Sequence, residues 1–133
     1  MATDAVLQFK YSDDVHITAI YKRYDADPEL VAESLKKYLR DTKNEQWDFI
    51  VADIIGHFVN DSHNRKGIKM VYKMPSKKDR SFCYSWQIFP KEDDFQNANI
   101  PLNKSIHVKV WRGSMRELMY EGPLANFKMQ PDE

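Results

Sequence analysis

The stretch AVLQFKYSDDVHITAIYKRYDADPELVAESLKKYL, residues 5–39, determines the fold class because its hydrophobic period changes once along its length. In residues 5–11 every second side chain is apolar or aromatic, and residues 15–24 repeat this two-residue period after a short polar turn. A period of two indicates β-strands, and so short a turn favours an antiparallel hairpin. Beyond it the apolar residues follow helical spacing, which predicts a helix that begins at Pro28 and ends near residues 41–44.

The rest of the chain alternates between the same two periods. A broad apolar stripe over residues 47–59 predicts a second helix, and a close approach of that helix to the sheet would explain Gly56 within it. Four further strands are predicted, at residues 68–74, 81–89, 104–112 and 116–121.

Two segments stand outside this pattern. Residues 90–103 are predicted to form a long acidic and amide-rich loop, a kind of segment that is often mobile and sometimes functional. Leu124, Ala125 and Phe127 are predicted to pack a short C-terminal segment onto the core.

The element order is therefore β-β-α-α-β-β-β-β. Strands joined by short turns favour an antiparallel sheet, and two consecutive amphipathic helices favour packing on one of its faces. We predict a single α+β domain over residues 1–133: an antiparallel sheet of about six strands with two helices packed on one face.

Composition restricts the class of protein. Hydrophobic residues make up 42% and charged residues 30% of the chain, a globular mixture that excludes a disordered chain. A single cysteine, Cys83, cannot form an intramolecular disulfide and favours a reducing compartment. No secretory signal and no membrane-spanning run is recognisable, so we expect a cytoplasmic protein without a membrane partner.

The net charge is zero, yet one segment is strongly basic. Residues 62–80 contain seven basic residues and one acid, Asp79, a local net charge of +6. The predicted strand pattern places them on one hairpin, where they would bind a phosphate backbone or an acidic protein surface. The alternative is an edge hairpin that its lysines protect from aggregation. The candidate binding residues are Arg65, Lys66, Lys69, Lys73, Lys77, Lys78 and Arg80.

Residues 21–28 read Tyr-Lys-Arg-Tyr-Asp-Ala-Asp-Pro. This stretch resembles a group of small, functionally uncharacterised phage and bacterial proteins, in which an aromatic-basic strand end leads through Trp-Asp-Gly-Tyr-Pro into a helix. Asp25 and Pro28 match, while Ala26 and Asp27 replace the glycine and the second aromatic residue. The ending Tyr-Glu-Gly-Pro-Leu, residues 120–124, is also similar. The resemblance implies a related topology and a phage-type origin, with the host cytoplasm as location, and assigns no site residues.

Candidate catalytic residues are sparse. Asp53 and His57 share a helix face and His63 follows, a set that could bind a metal or form an acid–base pair, although a solvated helix face and a capped helix end are the favoured explanation. His16 and His107 are predicted to lie on strand surfaces, and Cys83 to be a quiet, buried or half-buried thiol.

No nucleophile elbow and no glycine-rich phosphate loop is present in the sequence. We therefore expect no cofactor and a non-enzymatic binding or accessory protein, of phage type, that binds and modulates a protein partner. It would use the basic hairpin, the 90–103 loop, or both. The alternatives are a nucleic-acid- or nucleotide-binding module that uses the 62–80 hairpin, and a metal-dependent enzyme around Asp53, His57 and His63.

Overall fold

The computed structural model describes residues 3–12, 15–43, 45–61, 67–71 and 82–128. Its elements in chain order are β1 (Ala5–Ser12), β2 (Val15–Lys22), α1 (Pro28–Asp41), α2 (Trp47–Asn60), β3 (Ile68–Met70), β4 (Tyr84–Pro90), α3 (Glu92–Phe95), α4 (Leu102–Ser105), β5 (Ile106–Arg112), β6 (Glu117–Pro123) and a 3₁₀ turn (Leu124–Asn126). The predicted α+β class and the predicted order of strands and long helices are confirmed.

The six strands form one sheet in the order β3-β2-β1-β4-β5-β6. Four of the five neighbouring pairs are antiparallel, as predicted, but β1 and β4 run parallel, with Leu7 opposite Trp86 and Phe9 opposite Ile88. The sheet is therefore mixed. A parallel neighbour is reached only through a long crossover, and the chain between β1 and β4 contains β2, both long helices and β3.

The predicted hairpin between the third and fourth strands is wrong. In the described residues β3 pairs with β2 at an edge of the sheet, whereas β4 pairs with β1 and β5 near its centre. The predicted alternation is present in β4, where Trp86 and Ile88 belong to the core, while β3 is described for Ile68–Met70 only. Alternation determines which face a side chain occupies and not which strand lies alongside.

Both long helices pack on the same side of the sheet. Leu7 and Phe9 of β1 belong to one buried cluster with Leu35 of α1 and Ile54 of α2. The C-terminal segment completes this core as predicted, since Leu124 is buried and the rings of Phe127 and Trp86 lie 5.5 Å apart. Neither long helix has the length and apolar character that a bilayer crossing requires.

The opposite face of the sheet carries polar side chains. The Nε2 of Gln8 on β1 lies 2.8 Å from His16 Nδ1. Gln87 of β4 donates a hydrogen bond of 3.3 Å to the Oε1 of Gln8. His107 and Lys109 of β5 alternate with Ile106, Val108 and Val110, which belong to the core, so they point to this helix-free face.

Helix α2 begins at Trp47, directly after Gln46. The predicted reason for Gly56 is wrong: in the described part of the chain, no atom beyond the neighbouring residues and the backbone of α2 itself lies within 4 Å of the position that a Cβ would take. The predicted 90–103 loop contains the two short helices α3 and α4, which pack against the core through Phe95 and Leu102.

Candidate functional site

The parallel pair creates a crevice at one end of the sheet. From the carboxyl end of β1 the chain turns towards β2, and from the carboxyl end of β4 it turns the opposite way, towards β5. Where two parallel neighbours diverge in this manner their loops leave a gap, and ligands of open sheets bind in such gaps. Tyr11 and Ser12 end one strand, and Phe89 and Pro90 end the other.

A concavity of about 620 Å³ occupies this crevice. We call it the strand-end pocket, and its volume lies in the range of small-ligand and side-chain binding sites. The strand ends, α3, β5 and the exposed edge strand β6 all contribute to its walls. It is lined by Tyr11, Ser12, Phe89, Pro90, Lys91, Glu92, Phe95, Gln96, His107 and Glu121.

A second concavity of about 500 Å³ lies on the other side of Phe95 and Gln96. We call it the loop pocket. It shares these two residues with the strand-end pocket and otherwise uses the connection between α3 and α4 together with one residue before α2. Its remaining lining residues are Glu45, Asn97, Ala98, Ile100 and Leu102. Phe95 and Gln96 thus form a divide between two adjoining depressions.

The wall that separates the pockets is attached to the core. The ring of Phe95 meets the ring of Trp47 edge-on, with 6.2 Å between centroids. The backbone N–H of Lys91 donates to the carbonyl of Ser105 at 2.8 Å, which closes residues 91–105 into a loop with joined ends. A loop whose ends are fixed and whose aromatic side chain is packed presents its outer surface in a defined shape.

His107 is the titratable group on the pocket floor. Its ring lies 6.3 Å from that of Phe89, centroid to centroid. Burial lowers the pKa of His107 and the neighbouring Lys91 ammonium lowers it further, while Asp94 and Glu121 oppose the shift. At neutral pH the imidazole is therefore uncharged, and one ring nitrogen can donate a hydrogen bond while the other accepts one.

The charged lining residues of the two pockets are mainly acidic. Three glutamates, Glu45, Glu92 and Glu121, stand against one cation, Lys91. The Glu121 Oε1 also lies 3.9 Å from the Nζ of half-buried Lys109, a long ion pair that leaves the exposed carboxylate accessible. Apolar surface beside an excess of carboxylates suits a ligand that combines an apolar group with positive charge.

The structure places only one of the predicted basic residues. Lys69 lies on β3, exposed, with its Nζ 5.2 Å from the centroid of the Tyr21 ring. The other six, Arg65, Lys66, Lys73, Lys77, Lys78 and Arg80, lie outside the described residues.

Asp53 and His57 make contacts between the two long helices. Asp53 accepts a hydrogen bond of 2.7 Å from the Thr42 hydroxyl, and the His57 ring stacks on Tyr38 at 4.9 Å. The Tyr38 hydroxyl in turn donates to Asp61 at 3.3 Å. His63 lies outside the described residues, and no three His, Cys, Asp or Glu side chains in the described ranges are grouped as metal ligands would be.

Two further predictions concerned His16 and Cys83. His16 is exposed on its strand, as expected, and shares a hydrogen bond with Gln8. Cys83 is also exposed, so its predicted burial is wrong. Cys83 lies directly before the first residue of β4, outside the buried core. Its backbone N–H donates a hydrogen bond of 2.8 Å to the Asp4 carboxylate.

The sequence pointed to part of the site. The 90–103 loop does supply Lys91, Glu92, Phe95 and Gln96 to the strand-end pocket. The sequence does not identify His107 and Glu121 as site residues, because the alternation of each strand already explains them as surface positions opposite the core. Only the pairing of β5 with β4 and β6 shows that both belong to the same crevice.

No protein-family model matches this chain, and neither a curated protein nor a solved structure shows significant similarity to it. The function is therefore argued from the geometry of the site.

Proposed function

We propose that this chain is a non-enzymatic binding protein that captures a cationic, apolar segment of a protein partner in the strand-end and loop pockets. The observation that supports this most strongly is the pair of adjoining depressions on either side of Phe95 and Gln96. An extended peptide laid across such a divide can place one side chain in each depression, which is how peptide grooves obtain specificity.

The chemistry of the lining sets the character of the peptide. Phe89, Pro90 and Phe95 favour a large apolar or aromatic anchor in the strand-end pocket. Glu92 and Glu121 on that pocket and Glu45 on the other favour lysine or arginine beside the anchor. Neutral His107 adds a hydrogen-bonding group without adding a competing positive charge.

A peptide-display library of random sequence, selected on the purified protein, tests the proposal directly. We expect the selected peptides to share one large apolar residue with lysine or arginine close by, and an excess of acidic peptides would contradict the proposal. A pull-down from host lysate, competed by a selected peptide, then identifies the protein partner. We further propose that the protein is of phage type, which the resemblance of residues 21–28 supports, and that its binding modulates the partner.

A matched pair of phenylalanine variants locates the binding surface. Phe95→Ala removes the divide between the pockets, whereas Phe49→Ala removes a side chain that is 57% exposed on α2 and lines neither pocket. We expect Phe95→Ala to weaken binding of a selected peptide about tenfold or more and Phe49→Ala to leave it nearly unchanged. Equal effects of the two variants would place the peptide elsewhere.

A second matched pair tests the role of charge. Glu121→Gln removes a carboxylate of the strand-end pocket, and Glu117→Gln removes an exposed one at the other end of β6. Affinity for a cationic peptide should decrease, and its salt dependence should weaken, with Glu121→Gln only. This pair distinguishes loss of charge from loss of fold, because neither change alters the size of the side chain.

A further inference from the structure

A third concavity lies at the opposite end of the sheet, between the end of β2 and the start of β3. Its volume is about 340 Å³, and its lining residues are Tyr21, Arg23, Gly67, Ile68 and Lys69. It is remote from the strand-end pocket, because Lys22 pairs with Ala5 at the first residue of β1 and the strand-end pocket begins at Tyr11 and Ser12. A strand of this length spans about 25 Å.

Strand pairing holds the two cations of this concavity in place. Lys69 lies directly opposite Tyr21 in the β2–β3 register. The backbone N–H of Arg23 donates to the carbonyl of Gly67 at 2.7 Å, so the pairing continues one residue past β2. Both side chains are exposed, which leaves guanidinium and ammonium groups available to a ligand.

Each cation lies against an aromatic ring. The Lys69 Nζ is 5.2 Å from the centroid of Tyr21, and the Arg23 Cζ is 5.2 Å from the centroid of Tyr24. Tyr24 is itself 39% exposed. Cation–aromatic contacts restrict the motion of long side chains, and a guanidinium on a ring presents a flat outer surface on which a base can stack.

The turn that carries Tyr24 is held from both sides. Buried Lys22 donates from its Nζ to the Tyr24 carbonyl at 2.7 Å. On the other side the Tyr24 ring packs closely against Gly67. A Cβ at position 67 would lie 3.0 Å from Tyr24 Cδ2, so a larger residue there would displace the ring. The ring, Arg23 and Lys69 thus form an arrangement that exists before any ligand binds.

The charge of the concavity's lining favours an anion, although Asp25 and Asp61 act on the buried Lys22 nearby. The lining residues include two cations and, among the described residues, no carboxylate. The nearby Asp4 accepts hydrogen bonds from the Tyr21 hydroxyl at 2.9 Å and from the Cys83 backbone N–H at 2.8 Å. Gly67 and Lys69 also belong, by sequence, to the segment 62–80 with its net charge of +6. Clustered positive charge of this size attracts polyanions over a distance.

We propose that this concavity binds a single-stranded nucleic acid, with Arg23 and Lys69 contacting backbone phosphates and an unpaired base stacking on the Arg23–Tyr24 pair. Alternation of cations with an accessible aromatic stack is the combination that single-strand binding sites use, since stacking requires bases that are not already paired. The site is independent of the peptide pockets at the other end of β1.

The test measures fluorescence anisotropy of a labelled oligothymidylate over a range of salt concentrations. Binding by the unmodified protein should weaken steeply with salt. The double variant Arg23→Gln/Lys69→Gln should weaken binding about tenfold or more and make the log–log salt slope shallower by about 1.4, the value for two phosphate contacts to a single strand. The matched control, Lys37→Gln/Arg40→Gln on exposed positions of α1, removes the same charge and should change affinity less than about twofold.

Tyr24→Leu tests the stack separately from the charge. It should weaken oligothymidylate binding about fivefold or more while leaving the salt slope unchanged. The proposal is overturned by an absence of binding at low salt, by equal losses in the two double variants, or by tighter binding of a duplex than of the single strand. Binding of inorganic phosphate without binding of the oligonucleotide also overturns it. Thermal unfolding of each variant confirms that it is folded.

Discussion

The indole Nε1 of Trp47 donates a 2.8 Å hydrogen bond to the backbone carbonyl of Lys10. The bond joins the first residue of α2 to the carboxyl end of β1, beside the strand-end pocket. The same indole meets Phe95 edge-on, with 6.2 Å between ring centroids. One buried side chain therefore connects the sheet, a long helix and the wall between the two pockets.

Trp47→Phe removes the donor and leaves a gap where the larger ring was. We expect the free energy of unfolding to decrease by about 2 kcal/mol, because a buried hydrogen bond and part of the packing are lost together. Urea unfolding measures this change. Trp111→Phe, at a half-buried position of β5, should lower the free energy of unfolding by less. Equal losses would show that the Trp47 contacts contribute no more to stability than those of Trp111.

Gly56→Ala should stabilise the protein by about 0.5–1 kcal/mol, because alanine restricts the unfolded chain and favours the helix. The position is inside α2, and in the described part of the chain no atom beyond the neighbouring residues and the helix's own backbone lies within 4 Å of the added Cβ. Thermal unfolding should show a higher midpoint. Gly113→Ala is the contrasting variant: its φ of +71° disfavours any Cβ, and it should lower the midpoint.

Most of the fold could be predicted from local pattern, and the exceptions have a common cause. The alternation on either side of residues 12–14 predicted the β1–β2 hairpin, which the register from Ala5–Lys22 to Ser12–Val15 confirms. The sequence pattern does not predict the parallel pairing of Leu7 with Trp86, because the alternation within one strand does not indicate which other strand pairs with it. A central strand such as β1 forms backbone hydrogen bonds along both edges. Its second partner, β4, lies in a distant part of the sequence.

The candidate site was only partly predictable for the same reason. Phe95 lies in a loop whose length and composition marked it as functional. His107 was interpreted as a surface histidine, since the face opposite the core is exposed on an isolated strand. The neighbouring strands and the α3 segment change that environment: His107 becomes half-buried beside Phe89 and lines the strand-end pocket.

The Thr42–Asp53 contact should contribute to stability. The Thr42 hydroxyl follows α1 and donates to the Asp53 carboxylate of α2 at 2.7 Å. Thr42→Val and Asp53→Ala should each lower the free energy of unfolding by about 1 kcal/mol, and the double variant should lose less than the sum of the two. A double-mutant cycle in urea measures the coupling. Additive losses would mean that the two side chains act separately.

His107 should make stability depend on pH below about 7. Its pKa is lowered in the folded protein by burial and by Lys91, against about 6.5 in the unfolded chain. In the interval between those two values the unfolded state binds more protons, so stability is fully present above about pH 6.5 and decreases as the pH falls towards the folded-state pKa. Urea unfolding at several pH values measures the decrease.

His107→Gln isolates this contribution, because it removes the imidazole and keeps Lys91, Asp94 and Glu121 in place. The difference in unfolding free energy between the unmodified protein and His107→Gln should change with pH below about 7 in the direction that favours the histidine at higher pH. NMR titration of the His107 ring should give a midpoint below about 6.5, the ordinary value for histidine. A midpoint at or above that value, or a pH-independent difference, would show that Glu121 and Asp94 outweigh burial and Lys91 at this position.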